Sequence, residues 1–208
     1  MPGLDSILGD RERLIVRQKK EWGEILVGFE SKNRFELTDD QGEAVGLAAE
    51  EGGGFGAMLG RQFFGACRRA TIHLYDPAGN EVGRGEKPFR WFFQRMEVFD
   101  GDERIGAIER KFTWLSKRLV VENASGQEIM EIRGPMLLLG RGTFTLHFQD
   151  QEVGKISKRF GGVLRELFTD ADTFGVEWQP HVPAEVRKIL LIATFLIDFT
   201  YFENNNRD

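Results

Sequence analysis

The sequence predicts a mainly β domain, an antiparallel meander folded into a sandwich or barrel, with one long hydrophobic helix at its C-terminal end. Three observations carry this. Short alternating segments fill the chain between roughly residues 24 and 178, separated by turn signals. A turn followed by a β-branched residue and a glycine recurs along it. And "PAEVRKILLIATFLIDFTYF" (183–202) is apolar on every side after its first turn.

The elements follow in order. The opening "MPGLDSILGDRERLIV" lacks a basic region followed by an apolar run, so no signal peptide is read there. "RERLIVRQKKEW" fits a strand or a helix. Then "RFELTD", "AVGLAAE", "ATIHLYD", "EVGRG", "RMEVFD", "RIGAIERKF", "RLVVEN", "EIMEIRG", "TFTLHFQD" and "VGKISKRF" alternate apolar and polar residues. Asp-, Gly- and Asn-rich stretches such as "DQGE", "PAGN" and "ASGQ" part them, which is the signature of hairpins. The stretches "VFDGDERIGAIERKF" (98–112) and "HFQDQEVGKISKRF" (147–160) share a turn, a β-branched residue, Gly, Ile, a basic pair and Phe. They read as two related halves. Val45-Gly46 and Val82-Gly83 occupy comparable places, and a glycine there marks a bulge or a close approach by another element. Short helical turns are read in "GGVLRELF" (161–168).

The final helix has two solutions. A bilayer needs about 20 apolar residues, whereas the run Ile189 to Phe202 is interrupted by Asp198. On an insertion scale its apolar residues contribute roughly −4 kcal/mol against about +3 for the aspartate, so insertion is near balance. The other solution is enclosure, because a helix apolar all round must be buried. A closed barrel would enclose it, its glycines would let the wall approach, and Asp198 would need a polar partner inside.

Composition narrows the function. The chain has 208 residues, a net charge of −5 and one cysteine, Cys67. The acidic balance argues against a nucleic-acid partner, and a lone cysteine suits a reducing, cytoplasmic compartment. The sequon at Asn123 then reads as a plain turn. His73, His147 and His181 lack metal-ligand spacing, no Gly-x-Ser-x-Gly elbow occurs, and "GGGFGAMLG" (52–60) fits no phosphate-loop pattern. A metabolic enzyme is not expected.

"LVGFESKNRFELTDDQGEAVGLAAEE", "ATIHLYDPAGNEVGRGEKPFR", "GKISKRFGGVLRELFTDADTFGVEW" and "ILLIATFLIDFTYFE" resemble successive blocks of the phospholipid scramblases, in order from about Leu14 to Glu203. The resemblance implies a tubby-like fold of the tubby and LURP-one-related superfamily. That is a mostly antiparallel barrel of about twelve strands around the hydrophobic C-terminal helix. It implies calcium-triggered, energy-independent movement of phospholipids between leaflets, and a helix that has also been proposed as a membrane span. The chain departs from the animal pattern in lacking a proline-rich N-terminal region and a cysteine cluster. The segments resembling the cysteine-rich loops read "EEGGGFGAMLGRQFFGACRR" and "RWFFQRMEVF". The expected organisation is a short segment 1–13, one domain 14–203 including the helix 184–203, and a polar tail 204–208. A location in the cytoplasm or on the cytoplasmic face of a membrane is expected, and oligomeric state is left open.

Two candidate sites follow. "DADTFGVEWQPH" resembles the family's calcium segment. Asp170, Asp172 and Gly175 fit loop positions one, three and six, Phe174 offers a backbone carbonyl, and Glu177 a further carboxylate. His181 at position twelve supplies no bidentate carboxylate, so Ca2+ binding through Asp170, Asp172 and Glu177 would be weak. An acidic turn entering a strand explains the same residues. Lys155, Lys158 and Arg159, with Arg110 and Lys111 at the matching place in the other half, are the candidate ligands for phospholipid headgroups at a membrane surface. Solvated strand faces are the alternative. "RQKKEW" (17–22) pairs basic residues with tryptophan as interfacial segments do, or as an ordinary exposed edge does.

Overall fold

The computed structural model describes residues 3–19, 31–52, 67–114, 116–136, 142–158 and 173–202, without the side chains of 31, 32 and 136. Its twelve strands are β1 (Arg13–Lys19), β2 (Ser31–Thr38), β3 (Ala44–Glu51), β4 (Ala70–Tyr75), β5 (Glu81–Lys87) and β6 (Arg95–Asp100), followed by β7 (Glu103–Lys111), β8 (Ser116–Asn123), β9 (Glu128–Met136), β10 (Thr143–Phe148), β11 (Gln151–Lys158) and β12 (Thr173–Trp178). Each pairs antiparallel with its neighbours in sequence, and β1 pairs with β12 to close the barrel. "RERLIV" therefore enters a strand. "GGVLRELF" and "GGGFGAMLG" lie outside the described residues.

Tight turns gather at one end of the barrel. At Asp39, Asp76 and Asn123 the backbone N–H bonds to the carbonyl four residues on, and a side-chain oxygen accepts the N–H of that same residue. The third residue after each is Gly42, Gly79 or Gly126, with φ of +80° to +85°, where a side chain is strained. The sequon asparagine is thus committed to a turn.

The repeated β-branched-Gly pair is a bulge. Pairing passes from Leu37↔Gly46 to Thr38↔Ala44, leaving Val45 as the extra residue. Val82, Ile105 and Val153 are the extra residues of three further hairpins. All four are buried in the core, so each bulge turns two successive residues inward. The glycine after each lets another element close in. A Cβ on Gly46 would lie 3.0 Å from Ile7 Cγ1, one on Gly83 2.8 Å from Leu4 Cδ2, and one on Gly106 2.6 Å from Ile189 Cδ1. Gly154 instead lies against the Glu177 backbone.

The barrel is filled by the helix Ala184–Ile197, which Pro183 precedes and a π-helical turn, Asp198–Phe202, continues. Every residue from Lys188 to Ile197 is buried, and the Phe35 and Phe195 rings meet edge-on at 5.1 Å. Of the two solutions for this segment, enclosure is the one observed. Asp198 is partly buried and engaged in a polar or ring interaction. No described helix is long and apolar enough to cross a membrane, which says nothing of strands. A helical turn, Asp5–Leu8, plugs the tight-turn end with Leu4, Ile7 and Leu8 in the same core. Part of the segment set apart as 1–13 is thus core material.

Lys188 ties these parts together. Almost wholly buried, its Nζ lies 2.8 Å from Asp5, 2.8 Å from Asp100 and 3.0 Å from Glu185, while Asp100 also accepts the Leu4 N–H. Burial alone would lower the Lys188 pKa; Asp100, Asp5 and Glu185 outweigh it and hold the pKa above its usual value. A raised folded-state pKa means stability that is present below the unfolded value of about 10.4 and lost as pH rises through the folded one. Melting temperature is therefore expected to fall above about pH 10.4 more steeply in the wild type than in Lys188→Met. Parallel slopes in a calorimetric pH series would refute the assignment.

Candidate functional site

The alternation of each strand decides which side chains reach the interior at the other end of the barrel, where the helix finishes. Leu14 and Val16 lead to Gln18, Phe35 to Asn33, and Ala48 to Glu50 in the inward rows. Likewise Ile108 leads to Arg110, Leu119 to Lys117, and Ile156 to Lys158. Inward rows that are apolar around the helix thus become polar beyond its last apolar turn. The mouth is a collar of polar side chains set on the core-facing side of the wall.

The collar has two unlike sides. On one, Glu50 is buried and accepts from Asn33 at 2.6 Å and from Arg68, while Gln18 donates to Asn33 at 2.9 Å. Lys87 donates to the Arg68 carbonyl, and the Arg68 guanidinium lies over Phe199 at 5.3 Å. On that side Arg68 has a carboxylate partner in Glu50.

On the other side Arg110, Lys117 and Lys158 converge on the π-helical turn. Lys117 Nζ is 4.7 Å from the Tyr201 ring centre and 5.6 Å from that of Phe202. Lys158 Nζ is 4.6 Å from Phe202 and 5.4 Å from Phe174, and Arg110 is 5.5 Å from Tyr201. Among the described residues no carboxylate forms an ion pair with Lys117 or Arg110. Burial, and then repulsion from Arg110, holds the Lys117 pKa below the usual lysine value. Burial raises the Tyr201 hydroxyl, against the pull of Arg110. The cations are tolerated because ring faces and the negative end of the helix dipole lie beneath them. Among the described residues β9 and β10 pair from Arg133↔Thr145 to Glu131↔His147. A Cβ on Gly142 would lie 3.0 Å from the Phe202 ring.

The structure sorts the basic residues expected to hold headgroups. Arg110 and Lys158 come together, with Lys117 joining them. Lys111 and Lys155 lie on the outer face, the first paired with Glu109 and Glu128, the second with Glu177. Arg159 lies outside the described residues. Strand parity, odd against even along "ERKF" and "GKISK", was the signal that separates these pairs.

The calcium set divides differently. Asp170 and Asp172 lie outside the described residues. Phe174, Gly175 and Glu177 are strand residues hydrogen-bonded between β1 and β11. Phe174 is buried, and Glu177 sits 3.0 Å from Arg13 and 2.7 Å from Lys155. A carboxylate already holding two cations on a two-sided strand does not fit a calcium loop. No metal-binding cluster of His, Cys, Asp and Glu occurs among the described residues.

The Scramblase family profile matches residues 2–204. Phospholipid scramblase 1 of Mus musculus is 30% identical over 220 residues, covering 100% of this chain and 66% of the relative. The Homo sapiens protein of the same name is 30% identical over 216 residues, covering 98% and 66%. Phospholipid scramblase family member 5 of Homo sapiens is 29% identical over 221 residues, covering 98% and 78%. The chain spans 66% of the length of the first two. No solved structure matches.

Proposed function

Because this chain belongs to the Scramblase family, we propose that it binds phospholipid bilayers from the cytoplasmic face and speeds the energy-independent movement of phospholipids between leaflets, without making or breaking covalent bonds. The observation that carries the reading is the convergence of Arg110, Lys117 and Lys158 at the barrel mouth. A headgroup phosphate suits this site because its oxygens supply the negative charge that the described carboxylates do not give Lys117 and Arg110. Phe202 and Tyr201 offer apolar faces to the glycerol and first methylenes.

Near an anionic surface each cation is worth about 1 kcal/mol, or roughly fivefold in affinity. Lys117→Met with Lys158→Met is therefore expected to weaken binding to phosphatidylserine vesicles by roughly 25-fold, or about 2 kcal/mol. Since Lys117 gives up solvation in the fold, Lys117→Met alone should not lower the melting temperature. The same pair should slow the loss of leaflet asymmetry of a labelled lipid in reconstituted vesicles. Transport equal to that in protein-free vesicles would leave a headgroup-binding module without scrambling. That second reading is favoured by the buried helix, which spans nothing while it fills the barrel.

Calcium responsiveness belongs to the proposal through Asp170 and Asp172, since Glu177 is held by Arg13 and Lys155. Replacing both aspartates with alanine is expected to abolish a calcium-dependent rise in lipid movement, and Glu177→Gln to preserve it. An unchanged response in the aspartate variant would move the site elsewhere.

A further inference from the structure

The two ends of the barrel differ in kind. The turns at the tight end carry Asp39, Asp40, Glu43, Asp76, Asp102 and Asp150, and no Lys or Arg. At the open end, the β5–β6 connection (88–94) and the β7–β8 connection (112–115) present large aromatic side chains to solvent. Trp91 is 63% exposed, Phe92 78%, Phe112 69% and Trp114 84%, with Phe89 and Phe93 nearly half exposed. Scattered exposed apolar residues need no explanation, but a contiguous patch does.

The two aromatic connections are neighbours at this end. The connections leave adjacent strands, and the Arg110 N–H bonds to the Gln94 carbonyl at 2.7 Å between their bases. Phe89 packs edge-on against Trp91 at 5.2 Å, and Phe112 against Trp114 at 6.3 Å. Phe93, in the first connection, has a φ of +52°, unfavourable for a bulky residue. Arg110, at the end of β7, belongs to both the patch and the cationic mouth.

We propose that the aromatic connections 88–94 and 112–114 are a wedge that enters the headgroup region of a bilayer, fixing the barrel with its open end down and its acidic turns away. Tryptophan and phenylalanine favour this depth, where rings meet acyl chains and indole N–H groups meet water. The cationic mouth supports the same pose, since an anionic surface attracts it, whereas at the opposite end Asp39, Asp102 and Asp150 pair with Arg11, Arg84 and Arg133. The pose brings Arg110, Lys117 and Lys158 to the headgroups, so it deepens the proposed function and rests on that reading only for what happens to the lipid afterwards.

The test is vesicle co-sedimentation of the intact chain with pure phosphatidylcholine and with phosphatidylcholine containing phosphatidylserine. The variants are Trp91→Ser with Phe92→Ser, Phe112→Ser with Trp114→Ser, and Phe148→Ser at the tight-turn end as control. Each double variant is expected to lose at least tenfold in affinity for both vesicle types, at high salt as at low. Melting temperatures should match the wild type, because the replaced side chains are exposed, and Phe148→Ser should bind as wild type. Undiminished binding by both double variants would overturn the wedge. So would a wild-type dimer that the double variants dissociate while vesicle binding is kept, since the patch would then join two copies of the chain. If the wedge variants lose binding but the wild type moves no lipid, the scrambling reading fails and the wedge stands.

Discussion

A chain ending before Ala184 is expected to show no cooperative unfolding transition and to bind a hydrophobic dye at once. Nine large apolar side chains of the terminal helix and its π-helical turn lie inside the barrel: Val186, Ile189, Leu190, Leu191, Ile192, Phe195, Leu196, Ile197 and Phe199. At about 1.5–3 kcal/mol each, their burial is worth on the order of 15–25 kcal/mol. A whole domain has a net stability of about 5–15 kcal/mol. The wall cannot collapse to compensate, because its closure fixes its diameter. An anchor behaves otherwise: cutting it off leaves a folded, soluble remainder. Circular dichroism melting of the truncated chain separates the two, and a sharp transition near the wild-type temperature would remove the helix from the core.

Gly106→Val is the point substitution expected to do most harm. A Cβ at 106 runs into the Glu122 carbonyl oxygen and lies 2.6 Å from Ile189 Cδ1. One neighbour is backbone in the next strand and does not yield cheaply; the other is the terminal methyl of Ile189 on the packed helix. Overpacking usually costs 1–3 kcal/mol, occasionally more; with backbone as the nearer neighbour about 3 kcal/mol is expected, lowering the melting temperature by roughly 10 °C. Ile105→Val, one position earlier in the same bulge, removes only one methylene and should cost about 0.5–1.5 kcal/mol. Similar losses for the two variants would mean that the glycine does not govern the approach of the helix.

The bulge is also where sequence and structure meet most closely. Val45-Gly46, Val82-Gly83, Ile105-Gly106 and Val153-Gly154 carry their meaning locally, because a turn, an extra inward residue and a missing Cβ are all written within a few positions. The helix was legible for a similar reason: apolar on every side from Ile189 to Ile197, it excludes any half-solvated surface. "RERLIVRQKKEW" was ambiguous because its apolar residues, Leu14 to Val16, are too few to show either period. Leu4, Ile7 and Leu8 were missed because one helical turn is too short to show periodicity. In the site, Arg110 and Lys158 were legible as basic residues, but their separation from Lys111 and Lys155 needs strand parity. Lys117 escaped notice because "LSKRLVV" lies outside the two duplicated segments. "RWFF" read as part of a counterpart of a cysteine-rich loop, and Trp114 drew no reading; nothing local reveals that two loops about twenty residues apart share one end of a barrel.

The central claim is that the protein meets a membrane with its open aromatic end while the helix stays enclosed. Photolabelling of the wild-type chain on vesicles with a lipid-soluble carbene precursor, mapped by mass spectrometry, tests this without any substitution. The label is predicted on Phe89–Phe93 and Phe112–Trp114, with residues 189–199 spared. A label concentrated between Ile189 and Phe199 would place the helix among the lipids and contradict the account.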